Sequence, residues 1–377
     1  MARNSRKRRL LPKRERQEIL SQFGNQCAVC GQLLNVKEIH HILFFSLGGD
    51  EREGNLIPLC PTCHSLFPHK LAHVASVEAM RDLREQRCAM SKAESQIIGS
   101  LDRNPLEAAL TLIDPQIRRR VLNSGRYEGY LQLALAVDKE LPGADPTAST
   151  LRDKVRLFAA ELSLYLDRED IFLDSALSST QRLAQSSELF PWARSGWLTV
   201  SRLVGRKGDP ISEERFLERA YPSESDDTNG ETLNWSFRAL AFYKKMRRFE
   251  DFGMLLAEVG DINEISDFAT RANIQSEIGR VHLLTDCPAL AYDHFSTTLN
   301  ASLRRFHLRG VFLSALFMTR AALASGHTDD AANALLMASQ FLHLVSRQNE
   351  RRDYERLRLK LARTLGPDAL NALWAMA

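Results

Sequence analysis

Two Cys-x2-Cys pairs, Cys27-Ala28-Val29-Cys30 and Cys60-Pro61-Thr62-Cys63, constrain this chain more than any other feature. Each pair can set two sulfurs on one tight turn facing a common ion, so together they predict a tetrahedral thiolate site for Zn²⁺. Four protein ligands leave no open position, which makes such a site structural. A simple zinc ribbon has roughly 15–20 residues between its pairs, whereas 29 residues separate Cys30 from Cys60. That interval carries the doublet His40-His41, the turn Gly48-Gly49 and Asn55, and the second pair runs directly into His64.

Local patterns give this interval a shape. Arg14 to Phe23 has helical spacing with Ile19, Leu20 and Phe23 on one side, and Gly24 stops it. Val36 to Leu43 reads as a strand, Asn55 to Leu59 as a second one, and Pro61 suits the first position of a following helix. That helix would hold Cys63 and His64 in its opening turn and break near Phe67-Pro68, since proline removes a helical hydrogen bond. Neighbours on a strand point to opposite faces, so His40 and His41 can take different roles.

The doublet, the Gly48-Gly49 turn, Asn55 and Cys63-His64 resemble the HNH endonuclease family over about residues 20–75. The resemblance implies a small α+β unit, a β-hairpin and helix wrapped around one catalytic metal (ββα-metal), beside a separate zinc. It implies that His40 stands at a metal-ligand position, His41 at that of the general base, and His64 at that of the ligand opening the helix. Asn55 matches the family's asparagine, which either binds the metal or orients the loop of the base. Some members place a further histidine one helical turn after His64; Pro68 stands there, leaving His69, His73 or water to complete the shell. Histidine shells suit Zn²⁺, Ni²⁺ or Mn²⁺ and a hydrated shell with asparagine suits Mg²⁺ or Mn²⁺, so the catalytic ion stays open among these. The implied reaction is hydrolysis of a DNA phosphodiester bond, leaving 3′-hydroxyl and 5′-phosphate ends.

Charge adds a second nucleic-acid signal. The formal net charge is only +3, but Arg3, Arg6, Lys7, Arg8, Arg9, Lys13, Arg14 and Arg16 crowd the first sixteen residues against the single acid Glu15. Such a block is either a solvated tail or an arm that binds phosphates without reading sequence. There is no run of about 18 apolar residues to span a membrane, and no apolar segment of signal-peptide type follows the first basic residues. Few cysteines in a metal-ligand pattern suit a reducing compartment, and the expected location is the cytoplasm.

Past Pro105 the character changes to leucine, alanine, arginine and glutamate in segments of helical length. Offsetting the chain by 40 residues stacks Ala239, Gly279 and Thr319 as a small-residue column, and Leu255, Phe295 and Leu335 as an apolar one. Gly326, Ala331, Leu335 and Ala338 have the spacing of the second half of a tetratricopeptide repeat, while the period lies nearer paired-helix repeats of the HEAT type. Residues 105–230 show no clear copy.

The expected organisation is therefore a basic arm (1–16), an HNH nuclease domain with structural zinc (17–90), a linker (91–104) and an all-α helical-repeat domain of tetratricopeptide or HEAT character (105–377). The repeats should fold without the nuclease and serve partner binding, self-association or restraint, with defence against phage as one setting. The rival reading is a zinc-containing adaptor that binds nucleic acid without cutting it and recruits proteins through its repeats.

Overall fold

The computed structural model describes residues 11–34, 38–43, 49–50, 52–67, 76–143, 145–168, 171–222, 229–345 and 347–366. His69, His73, Gly48, Pro68 and the arm residues Arg3, Arg6, Lys7, Arg8 and Arg9 lie outside them.

Helix α1 (Lys13–Gln22) buries Ile19 and Leu20 and ends at Gly24 and Asn25, whose left-handed backbones turn the chain into the first cysteine pair. Strand β1 (Glu38–His41) pairs antiparallel with β2 (Leu56–Leu59), placing His40 opposite Ile57 and His41 opposite Leu56. Every residue of β2 is buried. Helix α2 (Pro61–Ser65) follows at once, with Pro61 in its first turn, where a missing N–H costs nothing.

Helix α3 (Val77–Ser100) begins at Ser76, whose hydroxyl accepts a hydrogen bond from the amide of Ala79. It corrects the expected linker at 91–104. Met90, Ala93 and Ile97 recur at helical spacing and are buried against the helices that follow, so this polar-looking stretch is the outer face of a packed helix.

The remainder is a succession of helices: α4 (Pro105–Ile113), α5 (Pro115–Ser124), α6 (Tyr127–Glu140), α7 (Pro146–Ser163), α8 (Leu173–Leu183), α9 (Phe190–Arg206), α10 (Pro210–Arg219), α11 (Asn229–Lys245), α12 (Phe249–Val259), α13 (Phe268–Leu284), α14 (Pro288–Arg304), α15 (Leu308–Ala324), α16 (Thr328–Phe341) and α17 (Gln348–Leu365). Among the described residues no strand follows Leu59. Asn104, Asp114, Asp145 and Asp209 each cap a helix that opens on proline, a combination that satisfies orphan amides and presets the first turn.

The last five helices begin at 20-residue intervals, from Phe268 to Gln348, so two helices make the 40-residue period. Asp286, Phe306 and Gly326 take left-handed backbones at their junctions, and the next amide in each case bonds back five residues, as Cys287 does to the carbonyl of His282 at 2.8 Å. Near-equal spacing also runs back through α12, α11 and α10 to Phe190, into a region where no copy was expected. The small-residue column explains the close packing. A Cβ added to Gly279 would lie 2.9 Å from the Phe295 ring, and Ala239 and Thr319 are fully buried.

The helical region and the cysteine-bearing region do not have separate cores. Phe67 sits 5.1 Å from Phe306 and 6.2 Å from Phe341, centroid to centroid, inside one buried cluster that also holds Leu20, Val29 and Leu56. The expectation that the repeats fold alone therefore meets a shared interior. Replacing Phe341 with alanine is expected to cost about 3–5 kcal/mol, the usual price of emptying a buried phenylalanine site. Faster thiol labelling of Cys27 and Cys63 in the variant, together with a lower melting temperature, would report it; unchanged labelling would show two independent units.

Candidate functional site

The first cysteine pair is shaped by backbone bonds. The amide of Cys27 donates to the carbonyl of Gln32 and that of Gly31 to Cys27, at 2.8 and 2.9 Å, and Gly31 has φ +75°, which favours glycine. Ala28 donates to the carbonyl of Pro58, tying this turn to β2. In the second pair, Cys60 caps α2 and its Sγ accepts from the amide of Cys63. The four sulfurs all lie within 4.8 Å of one another, and Cys30 and Cys60 are 3.8 Å apart. Bonds of about 2.3 Å to a tetrahedral Zn²⁺ require sulfur separations of about 3.8 Å. The donor set fits the ion.

Electrostatics point the same way. Hydrogen bonding from Cys27 and Cys63 holds the Cys30 thiol down to about 4, while Cys63 is pushed upward by Cys27 and Cys30. Four sulfurs so close cannot all be thiolates unless a cation sits among them. Sequence reasoning missed a further support, Arg87 on α3. Its buried guanidinium donates to the carbonyls of Ala28 at 2.6 Å and Val29 at 2.9 Å, spanning both residues between the first two cysteines. Burial, followed by the repulsion of Arg126, lowers it to about 10, leaving it cationic at neutral pH beside a thiolate cluster. No local pattern distinguishes Arg87 from the other charged residues of α3.

The histidines form a second group. His40 and His64 meet edge to face with ring centroids 5.2 Å apart. Glu38 Oε2 lies 3.0 Å from His64 Nδ1. Glu38 and His40 are two apart on β1 and so share a face, with His41 on the other; that spacing was the available signal for Glu38, which sequence reasoning passed over. His40 and His41 are both buried. Among the described residues the four cysteines are the only set of three or more potential ligands gathered within 4.8 Å, so His40 and His64 come together as a pair.

Asn55 is also buried, and its amide is engaged with backbone. Oδ1 accepts from the amide of Leu43 at 2.7 Å, and Nδ2 donates to the carbonyls of Leu43 at 3.0 Å and Asp50 at 2.8 Å. It thus ties together the two ends of the segment that leaves β1 just after His41. Lys13, Arg14 and Arg16 are exposed on α1, and Arg14 pairs with Glu18.

No described helix is long and apolar enough to cross a membrane. No curated protein and no solved structure matches the chain. A family model described as HNH endonuclease matches residues 27–66, from the first cysteine to just beyond His64, which indicates a nuclease or nucleic-acid-binding function.

Proposed function

We propose that this chain is a metal-dependent HNH endonuclease that hydrolyses DNA phosphodiester bonds in the cytoplasm, with a helical-repeat region for partner binding, assembly or restraint. The observation that carries this reading is the approach of His40 to His64 beside buried His41 and Asn55, all inside the matched segment. His40 and His64 would hold a divalent ion, which supplies charge neutralisation at the phosphorus and stabilisation of the leaving oxygen. His41 takes the proton of the attacking water. Asn55 keeps the segment after His41 in place through its three backbone bonds, a use that leaves its oxygen committed to Leu43 and favours the loop-orienting role over ligation. Glu38, beside His64 Nδ1, accepts that nitrogen's proton and so leaves Nε2 as the ligating atom. The zinc of the four cysteines holds the frame, and the exposed bases of α1 with the arm before it add salt-sensitive, sequence-independent attraction to DNA.

Restraint by the repeats fits a nuclease with no sequence-reading element of its own, as would be needed in a phage-defence protein. The test is plasmid cleavage by the zinc-loaded full chain with added Mg²⁺, Mn²⁺ or Ni²⁺. Nicking or linearisation that depends on the added ion is expected. Tight plasmid binding with no cleavage under any of these ions would favour the non-catalytic adaptor.

A further inference from the structure

The inner side of the helical array lines a half-open cavity of about 620 Å³ whose walls come mainly from α9, α11, α13 and α15, one helix of each successive pair. The array bends back on itself around it. Arg347, which precedes α17, reaches the carbonyl of Leu164 and lies 3.8 Å from Asp167, and Arg119 on α5 pairs with Asp267 at the start of α13. Eight lysine and arginine side chains line this space against two carboxylates, Glu213 and Glu277.

The acids nearby are outnumbered: Glu213 pairs with Lys245, and Asp167 lies near both Arg206 and Arg347. Glu277 serves both Lys244 and Arg280, and Glu350, just outside, serves both Arg309 and Arg347. Arg202 and Arg238 form no ion pair with a carboxylate among the described residues. Arg202, Arg309 and Arg347 crowd over the ring of Tyr165, with guanidinium carbons 5.5, 5.5 and 5.6 Å from its centroid. Nε of Arg280 is buried without a hydrogen-bond acceptor.

The field that results favours negative charge. Burial would raise the Tyr165 phenol, yet Arg202 and Arg238 outweigh it and hold the phenol below its ordinary value. Burial and then Arg202 bring Arg238 down to about 10, and burial with Arg309 and Arg206 brings Arg347 to about 9. Cations gathered in low dielectric repel one another, and the cheapest relief is a bound anion. Arginine forks match phosphate oxygens in pairs, and the volume falls within the roughly 300–1,000 Å³ of small-molecule pockets. A DNA duplex does not fit such a space.

We infer that this cavity binds a small polyphosphorylated ligand of nucleotide size, held by Arg202, Arg238, Arg280, Arg309 and Arg347. The site is separate from the histidine pair, and the inference stands whether or not the chain cuts DNA.

The test is isothermal titration calorimetry on the zinc-loaded full chain without added divalent ion, using ATP, tripolyphosphate and a short DNA duplex as probes, with melting temperatures measured in parallel. Saturable one-to-one binding of ATP or tripolyphosphate is expected. Tighter binding of ATP identifies a nucleotide; equal binding identifies the polyphosphate chain as the recognised part. Arg202→Gln should weaken binding by about tenfold or more, the worth of a charge-assisted contact, while the ligand-free melting temperature stays the same or rises because a repulsion is removed. Arg356→Gln, on the exposed side of α17, should leave affinity unchanged. The inference is overturned if neither anion binds at millimolar concentration, if only the duplex binds, or if Arg202→Gln lowers the ligand-free melting temperature without changing affinity.

Discussion

His41→Ala is expected to slow DNA cleavage by about 10²–10⁴, the usual contribution of a general base, with zinc content and melting temperature close to those of the parent. The backbone of His41 is held by its pairing with Leu56, and its side chain lies on the strand face away from His40, so truncation should spare the pair His40 and His64. His40→Ala and His64→Ala should differ from it in kind. Their loss should be partly recovered by raising the concentration of Mn²⁺, because what they lose is affinity for the ion. Single-turnover cleavage across a Mn²⁺ titration separates the two behaviours. Cleavage by the His41 variant at the parental rate would remove it from the mechanism, and recovery of that variant by excess metal would make it a ligand instead.

The second large effect concerns the cysteines. About one zinc per chain should survive dialysis, and Cys60→Ser should lose it along with the fold of the region around it. Structural zinc sites in finger peptides are worth an apparent ~10–16 kcal/mol, whereas whole domains are stable by only about 5–15 kcal/mol. No rearrangement of a hairpin of two four-residue strands can replace that. Because Val29, Leu56 and Phe67 share a buried cluster with Phe306 and Phe341, the damage should spread into the last helices rather than stop at Ser65. Hydrogen exchange on the variant would show this as lost protection in α14 to α16. Full protection there, with the zinc gone, would mean that the shared cluster transmits little.

The difference between these regions and the polyphosphate cavity lies in how far apart the cooperating residues are. Turn chemistry and side-chain periodicity act over a few residues, which is why the paired cysteines, the hairpin around His40-His41, the helix opening at Pro61 and the 40-residue spacing of α13 to α17 could all be read from the chain. The supposed linker failed for a related reason: Ser91, Lys92, Glu94 and Ser95 make the stretch look polar, and only contact with α4 and α5 reveals that Ala93 and Ile97 are covered.

Other features had no local signature at all. Arg87 reaches the carbonyl of Ala28 across 59 positions, Phe67 meets Phe306 and Phe341, and Arg347 returns to Leu164 across 183. Each depends on which distant elements the tertiary packing brings side by side, which no short stretch of sequence specifies. Single residues such as Gly279 against Phe295 allow the close helix contacts on which that packing rests. The residue types in the chain were enough to specify the four-cysteine cluster within 27–66 and the helical character beyond it. The concentration of arginines around Tyr165 came into being only when distant helices converged, because charge density is a property of space and the sequence spreads those side chains from Arg202 to Arg347.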